Sequence, residues 1–108
     1  MKRAIFLNRG DSWTTNIERA LSKHFALVTH NYRDNFIRQV IDDIRAADLA
    51  IVDVSIDDRQ MREVLEVVRR AKMQQHLKPA LLCISRVNRG PHFQYQIERM
   101  GARFAYGQ

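Results

Sequence analysis

The chain has 108 residues, 45% of them apolar, with 18 Lys and Arg against 12 Asp and Glu for a net charge of +6. That length suits one domain around one hydrophobic core, and no internal repeat, low-complexity segment or linker divides it. No apolar run is long enough to cross a bilayer, the short apolar start is not a signal peptide, and a lone cysteine excludes an internal disulfide; the expectation is a cytoplasmic protein that makes no membrane contact.

Strand-like and helix-like segments alternate. Lys2 to Leu7 reads as a strand, and Asn8 to Ser12 as a loop. Thr14, Thr15 and Asn16 are candidate helix N-caps, followed by Ile17, Ala20, Leu21 and Phe25 at helical spacing. Phe25 to Thr29 reads as a second strand. Asp34 or Asn35 can cap the next helix, whose stripe is Phe36, Ile37, Val40, Ile41, Ile44 and Ala47. Asp48 to Val54 is a nearly continuous apolar strand, the pattern of a strand covered on both faces.

Ser55 to Asp58 leads into a long helix with Met61, Val64, Leu65, Val68 and Ala71 on its buried face. Lys78-Pro79 stops that helix, and Ala80 to Ser85 reads as the fourth strand, with Cys83 as a small buried hydrophobe. Gly90 and Pro91 break the chain. Phe93 to Met100 reads as a short helix ended by Gly101, and Ala102 to Tyr106 as a fifth strand. This alternation predicts an α/β, flavodoxin-like three-layer sandwich with a five-stranded parallel sheet in the order 2-1-3-4-5. A fifth helix, which would cover the last strand, is missing. The expectation is a single domain over 1–108, the front piece of a longer protein, or one whose cover comes from a partner.

Ligands of such sheets bind at the carboxyl ends of the strands. That rule nominates Asn8, Arg9, Asp11 and Ser12 after the first strand and Asp53, Ser55, Asp57 and Asp58 at or after the third. Ser85 and Arg86 follow the fourth strand, and Gly107 and Gln108 the fifth. Basic residues gather in the second half: residues 55–108 hold 10 Lys and Arg against 5 Asp and Glu, whereas residues 1–54 hold 8 against 7. Such an excess favours anionic partners, and Arg9, Arg86 and Arg89 form a candidate anion-binding set for a phosphate or nucleotide ligand.

Across essentially its whole length the chain resembles the receiver domain of bacterial response regulators. Asp53 ends the third strand, where the resemblance implies a phosphate-accepting aspartate. Ser85 stands where a receiver has its phosphoryl-binding Ser or Thr, and the run from Gly101 to Tyr106 resembles the Gly-Ala motif before the last strand. Ser85 and Tyr106 are therefore switch-like candidates.

The chain also departs from the family. The acidic pair that would hold magnesium is replaced by Asn8 and Arg9, with Asp11 further into the loop, and the expected lysine falls at about Gln108. The resemblance therefore implies a degenerate receiver that works without magnesium-dependent phosphorylation. A guanidinium can pair with a carboxylate directly, so Arg9 is expected to face Asp53 in the metal's place. In the family such domains precede output modules, including those of sigma-54-dependent transcription activators. The implied partners are the chain's own output domain, another protein or a second copy in a homodimer. The docking surface is expected around Phe93, Tyr95, Ile97, Met100, Phe104 and Tyr106.

A second resemblance is carried by the run from Ala47 to Ser55, which is similar to the aspartate-bearing strand of nucleoside deoxyribosyltransferase-like and TIR-like proteins. It implies cleavage of N-glycosidic bonds by a helix glutamate, Glu63 or Glu66. Those residues also lie at ion-pair spacing from Arg59, Arg62, Arg69 and Arg70, the simpler role for them. His24, His30, His76 and His92 have no metal-site spacing, and no glycine-rich phosphate loop is present. With no helix-turn-helix pair or aromatic platform, direct nucleic-acid binding is not expected. The reading is a non-catalytic regulatory module with neither metal nor cofactor.

Overall fold

The computed structural model describes residues 2–31, 40–54, 58–73, 81–86, 90–99 and 102–106. It contains β1 (Arg3–Asn8), α1 (Ser12–Leu21), β2 (Ala26–Asn31), α2 (Ile41–Ala46), β3 (Leu49–Asp53), α3 (Asp58–Met73), β4 (Leu81–Ser85), α4 (Pro91–Arg99) and β5 (Arg103–Tyr106). All four strand pairings are parallel, and the sheet runs β2-β1-β3-β4-β5. This is a compact α/β, flavodoxin-like arrangement.

β1 and β3 lie inside the sheet, with a neighbour on each side. Their side chains point alternately to the two faces, and Ala4 to Leu7 and Ala50 to Val52 are all buried. The continuous apolar runs of these strands follow from that double burial. On one face, Ile5, Leu7, Ala50, Val52, Leu81 and Cys83 pack with residues of α2, α3 and α4. α3 contributes Met61, Val64, Leu65 and Val68, spaced as one helical stripe. α4 adds Phe93 and Ile97, one turn apart. The opposite face holds Ala4, Phe6 and Ile51, packed against the partly buried Ile17, Leu21, Leu82 and Ile84. Among the described residues, α1 is the helix on this side.

The boundaries differ from expectation in physically informative ways. α1 begins at Ser12 and is capped by Asp11, not by Thr14, Thr15 or Asn16. Oδ1 of Asp11 accepts from the Thr14 backbone N–H at 2.9 Å, and this satisfies an amide that lacks an intrahelical partner. Pro91 starts α4 rather than ending the loop before it; a first-turn proline lacks only an N–H that the helix does not use. β2 extends to Asn31, past the expected Thr29, because Leu7 and Asn8 of β1 continue to pair with His30 and Asn31. The expected helix caps Asp34 and Asn35 and the helix end at Gly101 lie outside the described residues.

The lower edge of the sheet, at the amino ends of the strands, is fastened by Asp48. Its backbone N–H donates to the Arg3 carbonyl, and its Oδ2 accepts from the Arg3 N–H, both at 2.9 Å. That reciprocal pair fixes how β1 and β3 start relative to one another.

Candidate functional site at the carboxyl edge of the sheet

The buried polar side chains among the described residues are Asn8, Thr14, Asp53 and Ser85. All four gather at the carboxyl ends of the strands or in the first turn of α1. Burying a polar group costs free energy unless it is hydrogen-bonded; Asn8 and Thr14 meet that requirement through the loop that follows β1.

Asn8 ends β1 and is 2% exposed. Its Oδ1 accepts the Gly10 N–H at 2.7 Å, a side-chain-closed turn. Gly10 sits at φ +77°, and a Cβ there would come within 3.0 Å of the Asn31 side chain. The positive φ favours glycine at this position, and a larger side chain would also have to displace Asn31. Arg9 lies between them, exposed at the rim.

Both carboxylate oxygens of Asp11 are engaged at this edge. Besides capping α1, Asp11 forms an ion pair through Oδ2 with the Arg86 guanidinium. The Thr14 backbone N–H, helped by the Arg86 charge, holds its carboxyl below the usual aspartate range, against the opposing effect of partial burial. Arg86 also lies over the Trp13 ring, 5.5 Å from its centroid, within range of a cation–π contact. Asp11, Trp13 and Arg86 therefore tie the β1–α1 loop to the end of β4, across a sequence separation of 75 residues.

Asp53 closes β3 beside Ile84, and Ser85 closes β4 beside Tyr106. Asp53 and Ser85 are fully buried. The fold thus brings the phosphoacceptor-like and switch-like positions to one edge, together with Asn8, Arg9, Asp11 and Arg86. Sequence reasoning set Arg9 opposite Asp53; the ion pair described at this edge joins Arg86 to Asp11. Within the anion-binding set, Arg86 already has a carboxylate partner, and Arg89 lies outside the described residues. So do Ser55, Asp57, Gly107, Gln108 and the side chain of Tyr106.

Among the described residues, the magnesium site that the receiver resemblance implies does not fit. Such a site needs a pair of oxygen ligands beside Asp53. Asn8 Oδ1 is used in the Gly10 turn, and the two Asp11 oxygens are used by the helix cap and by Arg86.

The glutamates of the second resemblance sit elsewhere. Glu66 pairs with Arg69 at 3.2 Å and Arg70 at 2.8 Å, and Glu63 approaches Arg59 at 3.7 Å. The hydrogen bonds from Arg69 and Arg70 hold the Glu66 carboxyl below its ordinary range. Asp48 of that motif is the clamp at the opposite edge of the sheet. Cys83 is fully buried, and burial pushes its thiol up to about 12, so it acts as a core residue. Phe93 and Ile97 of the expected docking surface are core residues too, whereas Tyr95 is exposed.

Sequence reasoning gave Asp11 a minor part, as a carboxylate set further into the loop. The usable signal was Asp11 standing three residues before Thr14, the spacing of an N-cap and the amide it serves. No signal in the sequence paired Asp11 with Arg86.

No protein-family model matches the chain, and no curated protein matches it in sequence. Among solved structures, a protein from Burkholderia pseudomallei described as pilus assembly-related superposes with a TM-score of 0.71 at 16% identity, over 95% of this chain and 75% of that one. CapF, crystallised with the inhibitor 3-isopropenyl-tropolone, gives a TM-score of 0.58 at 15% identity over 95% of this chain and 29% of its own length. At these identities the likeness speaks for the fold alone. Among the described residues, no helix is long and apolar enough to cross a membrane.

Proposed function

We propose that this chain is a degenerate receiver-like domain of the cytoplasm that regulates an output by protein–protein contacts, without magnesium-dependent phosphorylation. The observation that carries this reading is the engagement of Asp11. Its Oδ1 caps α1 and its Oδ2 pairs with Arg86, so the carboxylate that could have joined Asp53 in holding a metal serves the scaffold. A structural clasp in that place favours a fixed domain over one switched by a metal-assisted phosphoryl group. The contacts are made to an output segment of the same polypeptide or to a separate subunit.

The test is incubation of the domain with a small phosphodonor and magnesium, followed by intact mass measurement. The expected result is no phosphoryl adduct and an unchanged unfolding curve. A single adduct that disappears in Asp53→Asn would overturn the reading and make Asp53 a working acceptor.

A further inference from the structure

The α1 side of the sheet is covered unevenly. Leu82 and Ile84 on β4 belong to this face, and they are only partly buried. Ala105, paired with Ile84 on β5, is exposed. Together with Trp13, Ile17 and Leu21 along one flank of α1, these residues line an open apolar groove of about 180 Å³. Parallel sheets are normally covered by helices on both faces. A second helix laid beside α1 would restore that cover over β4 and β5.

The charge around the groove indicates what kind of helix would fit. Arg103 pairs with Leu82 and lies two residues before Ala105, so strand alternation puts it on the groove face at the lower end. It is exposed there. Lys2, at the start of β1, and Lys23, just past α1, are exposed at the same end of the molecule. The chain as a whole carries +6. α1 runs from the upper edge to the lower one, antiparallel to the strands. A helix lying alongside it in the same direction would bring the negative end of its dipole, and any acidic side chains of its last turn, to Arg103. A second copy of this chain would instead bring another +6 to a basic rim, and like charges at close range disfavour contact.

We propose that this groove, taken as the contact surface of the interaction module inferred above, docks one amphipathic helix of a partner protein. That helix has an apolar stripe at i, i+3, i+4 and i+7 and an acidic last turn that meets Arg103. Its apolar stripe buries Leu82, Ile84 and Ala105 and packs against Trp13 and Ile17. The surface lies on the opposite side of the sheet from Phe93 and Ile97.

Trp13 is the chain's only tryptophan and lines the groove, so it reports occupancy directly. The probe is a tryptophan-free synthetic peptide of about 16 residues, long enough to form a helix on binding. It carries leucines at the stripe positions and glutamates in the last turn, and a control carries lysines there. The expected result is a saturable blue shift of Trp13 emission with the acidic peptide, weakened about tenfold or more by Ala105→Glu. Ala105 is exposed, so that substitution leaves the core intact. Arg103→Glu should reverse the preference between the acidic and lysine peptides.

Three results would overturn the assignment. The acidic peptide gives no shift, or one indifferent to both substitutions. Trp13 emission is already that of an apolar environment in dilute free protein, so that the chain covers its own groove. Sedimentation shows a dimer abolished by Ala105→Glu, so that the occupant is a second copy. A phosphoryl adduct on Asp53 would remove the interaction-module reading through a separate measurement, whereas a flat peptide titration without any adduct removes only the groove.

Discussion

The two faces of the sheet are built from the same strands and differ in what lies over them. Leu81 and Cys83 on one face are sealed, at 3% and 0% exposure, because α2, α3 and α4 cover that side. Leu82 and Ile84, their immediate neighbours along β4 and no less apolar, remain partly open on the side where α1 is the one helix among the described residues. Burial is thus decided by the layer above a residue, not by its own hydrophobicity. The sealed face holds the domain together, and the open face carries the groove proposed above as a docking surface.

The sharpest way to break this contrast is to truncate one side chain on each face. Leu65, on the inward stripe of α3, is fully buried, and Leu65→Ala should cost about 2–5 kcal/mol, the transfer term plus a cavity. Ile84→Ala, in the open groove, should cost only about 1 kcal/mol, because a part-exposed side chain loses part of its transfer term and leaves no closed void. Urea denaturation of the two variants reads the difference. Equal costs would mean that the α1 face is as sealed as the other.

Asp11 sharpens the comparison at the upper edge, where the α1 face is tied to the end of β4. Asp11→Ala removes the cap and the Arg86 partner together, and should destabilise by about 0.5–2 kcal/mol. The folded pKa of Asp11 lies below its unfolded value, chiefly because of the Thr14 N–H bond. Its contribution is therefore complete above the unfolded value of about 3.9 and is lost as pH falls through the folded pKa. The gap in stability between the native protein and Asp11→Ala should be constant near neutral pH and close below about pH 4. A gap that persisted in acid would show that Asp11 acts through packing rather than as a carboxylate.

The smallest effect is expected from Arg86→Ala. Its side chain is 44% exposed, so the ion pair and the Trp13 contact together should contribute about 0.5–1 kcal/mol. The effect should shrink in high salt, because exposed charges are screened. Thermal unfolding at low and high ionic strength measures it. A salt-independent loss of several degrees would mean that the clasp holds the loop by packing alone.

Strand-helix alternation and the near-continuous apolar runs of β1 and β3 made the α/β class legible, since strands buried on both faces need no polar positions. The stripe Met61, Val64, Leu65 and Val68 announced α3 for the same reason. The strand-end rule also placed Asp53 and Ser85 at one edge. What it could not supply was the fate of each side chain there. Asn8 looked like a displaced metal ligand and is the acceptor that closes the Gly10 turn. Asp48 looked like part of a catalytic strand motif and is the clamp to Arg3.

Local pattern, then, determined the elements and the class of the fold, because burial on one stripe or two faces leaves a period in the residues themselves. Only the tertiary structure decided that Arg86 clasps Asp11 over Trp13, and that Leu82, Ile84 and Ala105 form an open groove while Cys83 is sealed. Those outcomes depend on which loops and layers meet across a sequence separation of 75, and no periodicity within a strand or helix records that meeting.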